Sequence, residues 1–119
     1  MSEVKKAIIT FNYAEKIKSS LIIASGLIEQ LGEINDSERA GAEKLLYAYF
    51  NALAAEVNMA ANATKLDGFR GIALKLEEAM KQVKERNYAG ASRLISEAIS
   101  LTTTQGSPSA KMLNEMGLI

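Results

Sequence analysis

Residues 45–64 read LLYAYFNALAAEVNMAANAT and carry a single charge, Glu56. The stretch is rich in alanine and asparagine at positions where a soluble surface helix usually has Lys and Glu. A helix of this composition needs to be covered on more than one side, by its own chain or by a second copy. The stretch therefore predicts a long helix that lies within a helical bundle.

Helical periodicity continues on both sides of this stretch. Helix one is expected from about residue 4, or only from residue 12, to residue 31, because apolar side chains recur at spacings of three and four. Asn35 and Glu38 match a capping box, with Asp36 or Ser37 as alternative caps, so helix two is expected to run from there to about residue 66. The segment 67–71 predicts a break, and two shorter helices are expected to end near residues 86 and 103.

The end of the chain predicts a separate element. Residues 103–107 have the composition of a linker, and Ser107 and Pro108 suit the cap and first turn of a short helix over 108–116. The predicted fold is all-α: an antiparallel four-helix bundle with a short C-terminal fifth helix, in one domain over residues 1–119.

The composition argues against catalysis. The 119 residues contain no histidine and no cysteine, which removes the Ser–His and Cys–His pairs, the imidazole metal ligands and any disulfide. We interpret four glutamates as ordinary exposed charges, because they do not repeat as a carboxylate metal site requires; these are Glu15, Glu43, Glu56 and Glu78. The sequence predicts no enzyme, no catalytic or metal-binding residues and no cofactor.

Charge and hydropathy limit the classes of partner and the cellular location that the sequence favours. Fourteen basic and fourteen acidic residues cancel, so the chain lacks the basic footprint of a general nucleic-acid binder. Residues 45–64 have the length of a membrane span, but their asparagines and Glu56 favour a buried soluble helix. The first residues do not match a secretory signal. The expected location is the cytoplasm, without a membrane span.

An uncharged stripe on helix two predicts self-association. Small and amide side chains recur at spacings of three and four on the side opposite its main apolar face; they are Ala48, Asn51, Ala55, Asn58 and Asn62. We therefore expect a homodimer, in an interaction or assembly module that also binds another protein. The alternative interpretation of the stripe is a surface helix with little charge.

The C-terminal segment offers a docking tail with apolar side chains that need covering; they are Met112, Leu113, Met116 and Leu118.

Glu56 has two interpretations. A carboxylate at the edge of the apolar face would anchor a ligand or move a proton if it were desolvated alone. Alternatively, it reaches solvent or pairs with a basic side chain of another helix. The first interpretation supports a further hypothesis, a bundle that binds a small molecule or a lipid between its long helices.

Basic residues near the turn after helix three suggest a nucleic-acid or anion contact. Tyr88 would supply a stacking ring, and Arg70, at the start of helix three, would face an anion beside free backbone donors. The other basic members of this candidate contact are Lys81, Lys84, Arg86 and Arg93. This gives the alternative hypothesis of an accessory subunit that contacts RNA or DNA through residues 81–93. Neighbouring glutamates and the dipole of helix three favour an ordinary solvated surface instead.

Overall fold

The computed structural model describes residues 2–119 and contains four helices within them. They are α1 (Glu3–Glu33), α2 (Asp36–Thr64), α3 (Asp67–Lys84) and α4 (Tyr88–Glu115). The connections between them are only two or three residues long, so successive helices run in opposite directions. No helix within residues 2–119 combines the length and the hydropathy needed to cross a membrane.

Local side chains fix where the helices begin. The Asn35 Oδ1 accepts a hydrogen bond from the backbone N–H of Glu38 at 3.2 Å, as the capping box predicts. The Glu38 carboxylate returns to this cap by accepting from the side-chain amide of Asn35, at 2.9 Å. Ser2 caps α1 and Asn87 caps α4 in the same way.

The core forms along the predicted apolar seams. In α1, buried side chains follow spacings of three and four, including Ile17, Leu21 and Ile28, each at most 1% exposed. Phe50 of α2 and Phe69 of α3 are fully buried and are the largest side chains between the helices. The burial of these rows confirms the all-α bundle predicted from the periodicity.

Each helix packs against two neighbours. α1 lies between α2 and α4, and α3 lies on the other side between the same two helices. The result is an elongated bundle of 53 × 23 × 18 Å. The contact between α1 and α4 is the most extensive, and within it Gly106 of α4 lets the two backbones approach closely at Ala14 of α1.

The predicted linker and fifth helix are wrong. α4 continues without interruption through residues 103–107 and past Pro108 to Glu115. The reason is tertiary packing: Thr102, Gly106 and Leu113 are all buried, so one continuous helix covers more apolar surface than a linker would. Pro108 itself is exposed, where its missing N–H and its ring disturb the helix least.

The predicted break at 67–71 is also displaced. α2 ends with Lys65 in the left-handed conformation, at φ 59°, and α3 begins at Asp67. Gly68 lies inside the first turn of α3, where the side chain of Gln105 from α4 occupies the space that a Cβ would need. The glycine therefore leaves room for the Gln105 side chain within a helix and does not mark a loop.

Candidate protein-interaction surface

One side of α2 exposes apolar side chains to solvent. Leu45 is 76% exposed and Met59 is 55% exposed, and the alanines between them face outward as well. These residues recur at spacings of three and four, which places them on one side of the helix. We call this row the α2 seam; it consists of Leu45, Ala48, Ala52, Ala55 and Met59.

α1 extends this apolar surface. Ile23 and Leu27 are 54% and 40% exposed. Residues 19–32 of α1 carry a single charge, Glu29, just as residues 45–64 of α2 carry only Glu56. The side of the bundle where α1 and α2 meet is therefore poor in charge, and large exposed apolar patches of this kind mark interaction sites.

A groove between α1 and α2 lies beside the α2 seam. Its volume is about 290 Å³, and Leu45 forms part of its rim. Its lining is apolar apart from one amide and one hydroxyl group, and consists of Leu27, Gln30, Leu31, Ile34, Ala42, Leu45, Leu46 and Tyr49. A shallow groove of this size and lining has room for an apolar side chain.

The residues predicted for self-association are all exposed, and their spacings of three and four place them along one side of α2 that partly overlaps the α2 seam. Ala48 and Ala55 belong to the α2 seam. Asn51 and Asn58 lie instead in the groove between α2 and α3, together with Arg70 and Leu74. Asn62 is exposed at the C-terminal end of α2, seven residues after Ala55.

Sequence reasoning missed three members of the seam: Leu45, Ala52 and Met59. Their spacing of seven residues was the available signal, because such a repeat stays on one side of a helix. Asparagine drew attention to the neighbouring stripe, of which Asn51 and Asn58 line the groove between α2 and α3.

Glu56 is paired. The Lys16 ammonium of α1 lies 3.0 Å from its Oε1 atom, while 18% of the Glu56 side chain remains exposed. Two turns along the same interface, the Tyr49 hydroxyl donates a hydrogen bond to the backbone oxygen of Ser20 at 2.8 Å. These contacts join α1 to α2, in agreement with the interpretation of Glu56 as an edge residue that pairs with a basic group of another helix.

The exposed position expected for Glu43 is wrong. Its side chain is only 10% exposed, and its Oε2 atom accepts a hydrogen bond from the Tyr88 hydroxyl at 2.9 Å. The Nε atom of Arg86 lies 3.6 Å from the same oxygen. Burial, followed by the charge of Glu43, raises the pKa of the nearby Tyr47 hydroxyl above its ordinary value. Burial of Glu43 could not be read from its neighbours in sequence, because its partners are more than forty residues away.

Arg39 completes this polar cluster at the end of the bundle. Its guanidinium donates hydrogen bonds to the backbone oxygens of Leu31 at 2.8 Å and Ile34 at 2.5 Å, where α1 ends. It also lies over the ring of Tyr88, 5.7 Å from the ring centre. The hydrogen bond to the Tyr88 hydroxyl is the main reason that the pKa of Arg39 is raised. The cluster fastens the α3–α4 turn to the α1–α2 turn.

The predicted anion or nucleic-acid residues do not form one surface. Arg86 and Tyr88 are engaged with Glu43, and the Lys84 ammonium lies 5.4 Å from the ring centre of Tyr47.

Lys81 and Arg93 are exposed, and Arg93 lies in a groove with Glu78 and Glu97. Arg70 is exposed in the first turn of α3, about 21 Å along the helix from Lys84 at 1.5 Å per residue.

The proposed docking tail is divided between the bundle and solvent. Leu113 is 2% exposed and Met112 is half-buried in a groove with Ala7 and Thr10 of α1. Met116 and Leu118 remain 48% and 53% exposed. α4 ends in a Schellman motif, in which Gly117 is left-handed and the N–H of Leu118 donates to the backbone oxygen of Leu113 at 2.9 Å.

Comparison of this chain with protein-family models, with curated proteins and with solved structures gave no match.

Proposed function

We propose that this chain is a non-enzymatic protein-interaction module that self-associates through α2. The observation that carries the proposal is the exposure of Leu45, 76% of whose surface faces solvent at the rim of an apolar groove. Leucine at such a position is more often covered, and it lies here within the α2 seam rather than as a scattered side chain.

The chemistry of the surface favours a protein partner. The groove offers few polar groups to orient a small ligand, and at about 290 Å³ it lies at the lower limit of ligand sites. The α2 seam continues from the groove to Met59, nearly three turns past Tyr49, which suits a helix better than a small molecule. Within residues 2–119, the two acidic residues that are not exposed, Glu43 and Glu56, are already engaged by Tyr88 and Lys16.

Sedimentation velocity over a range of concentrations tests this proposal. We expect the wild-type chain to form a dimer at micromolar concentration and Leu45→Glu to shift it to the monomer, because a carboxylate cannot be buried in the apolar contact. Leu74→Glu is the matched control, since Leu74 is 60% exposed on α3 outside the α2 seam. Circular dichroism verifies that both variants remain helical.

A wild-type chain that sediments as a monomer at several hundred micromolar would contradict self-association. A dimer that survives Leu45→Glu unchanged, but dissociates with Leu74→Glu, would move the contact to the groove between α2 and α3.

A further inference from the structure

The α2 seam has the pattern of a helix that packs closely against another helix. Its members follow the a and d spacing of a heptad, and all are exposed in the single chain. Three small side chains lie at the centre, where they allow two helix axes to approach, and the larger Leu45 and Met59 lie at the ends. From this arrangement we infer that α2 pairs with α2 of a second copy in the antiparallel direction, about a two-fold axis near Ala52.

The seam is self-complementary in that orientation. Leu45 lies seven residues before Ala52 and Met59 lies seven residues after it, so each is about 10 Å from the axis along the same side of the helix. An antiparallel pair brings Leu45 of one copy onto Met59 of the other, between alanines. A parallel pair would instead bring two leucines together and leave the ends of the seam with like charges opposed.

The charges at the two ends of this surface support the antiparallel choice. Glu38 lies fourteen residues before Ala52, about 21 Å along α2 on the same side. Lys5 lies three turns before Lys16 on α1, which runs antiparallel to α2. Because Lys16 contacts Glu56, about one turn after Ala52, Lys5 lies about 22 Å from Ala52, in the direction opposite to Glu38. Both side chains are exposed. Reversing one copy therefore brings Glu38 opposite Lys5 at each end of the contact.

The bundle has a face large enough to contain an interface of standard size. Its longest face measures 53 × 23 Å, which exceeds the roughly 800 Å² per partner of a standard interface. The exposed Ile23 and Leu27 of α1 flank the seam and would be covered by the second copy. This inference rests on the proposed self-association and adds the direction and the register of the two chains.

Disulfide trapping tests the inference directly, because the natural chain contains no cysteine. The single variants are Ala52→Cys, Leu45→Cys and Met59→Cys, with Leu74→Cys as the control for random collision. We expect oxidation to cross-link Ala52→Cys into a dimer within minutes. We expect an equilibrated mixture of Leu45→Cys and Met59→Cys to give a mixed dimer, and at least fivefold less product from either variant alone.

The outcomes separate the inference from the proposal beneath it. Rapid cross-linking of Leu45→Cys with itself would overturn the antiparallel direction. Cross-linking no faster than that of Leu74→Cys, in a chain that sediments as a dimer, would overturn the α2 register while leaving self-association intact. A wild-type chain that sediments as a monomer at several hundred micromolar would overturn both.

Discussion

Gly106 of α4 lies directly against Ala14 of α1: a Cβ added at Gly106 would stand 2.7 Å from the Cβ of Ala14. The obstructing atom is attached to the backbone of a packed helix and has no freedom to rotate away. The two helices would have to separate along their most extensive contact to accept any side chain at position 106.

Gly106→Ala is therefore expected to destabilise the protein, despite the higher helix propensity of alanine. We expect a loss of about 1–3 kcal/mol in the free energy of unfolding, the usual cost of overpacking. Gly41→Ala is the matched control, because a Cβ at Gly41 meets nothing within 4 Å, and it should stabilise α2 by about 1 kcal/mol. Urea unfolding at one protein concentration measures both, and a stabilising Gly106→Ala would show that the helices are farther apart.

Tyr88→Phe tests the hydrogen bond to the buried carboxylate of Glu43. The variant removes the hydroxyl donor but keeps the ring beneath Arg39. We expect a loss of about 1.5–3 kcal/mol, because the acceptor is charged and only slightly exposed. Tyr49→Phe breaks a bond to a neutral backbone oxygen instead and should cost about 1 kcal/mol. Equal losses in chemical denaturation would contradict the charged role of Glu43.

Among residues 2–119, two residues other than glycine adopt the left-handed conformation, both at helix ends, and they allow a paired comparison. Lys65 has φ 59° and Arg86 has φ 60°. Lys65→Gly should stabilise the protein by about 0.5–1 kcal/mol, because glycine adopts this conformation without strain. Arg86→Gly relieves the same strain but removes the contact with Glu43, so its free energy of unfolding should be lower than that of Lys65→Gly by about 1 kcal/mol.

Thermal denaturation of the two glycine variants checks this difference. If Arg86→Gly were as stable as Lys65→Gly, the contact between Arg86 and Glu43 would contribute nothing to folding.

The core could be predicted from the sequence because its signal is local. Ile17, Leu21 and Ile28 recur at a spacing that only a helix brings to one side, and all three are buried. The cap at Asn35 was equally visible, since all of its atoms belong to four consecutive residues.

Features that depend on distant partners could not be predicted in this way. Glu43 is an ordinary acidic residue in its own segment and becomes buried only because Tyr88 folds over it. Similarly, Gly106 and Pro108 are helix breakers locally, yet packing against α1 keeps α4 helical through both. The seam at Leu45 was obscured for another reason: apolar residues also fill the core side of α2, so both sides of the helix look alike in the sequence.

The raised pKa of the Tyr47 hydroxyl leads us to expect that the protein loses stability in alkali. Burial and the charge of Glu43 raise its pKa above the ordinary value of 10.0, so the folded chain keeps this proton at a pH where the unfolded chain releases it. The folded state then binds more protons, and stability falls as the pH rises above about 10. Tyr47→Phe should show a shallower decline between pH 9 and 11 in urea unfolding. Identical pH profiles for the two proteins would contradict the shifted pKa.

Pro108→Ala tests whether α4 is one continuous helix. Pro108 cannot donate a backbone hydrogen bond to Thr104, and its ring crowds the carbonyl group of that residue. Because Pro108 is exposed, replacing it with alanine removes these penalties without opening a cavity. We expect a gain of about 1–3 kcal/mol in the free energy of unfolding.

Hydrogen exchange provides an independent measurement of the same prediction. In the Pro108→Ala variant, the new amide at position 108 and its neighbours should become protected, because they lie within an uninterrupted helix that carries the buried Leu113. A loop at 103–107 followed by a separate short helix would behave differently: alanine at position 108 would then weaken a helix start for which proline is well suited. A loss of stability together with fast exchange over residues 103–107 would therefore restore the linker and contradict the continuous α4.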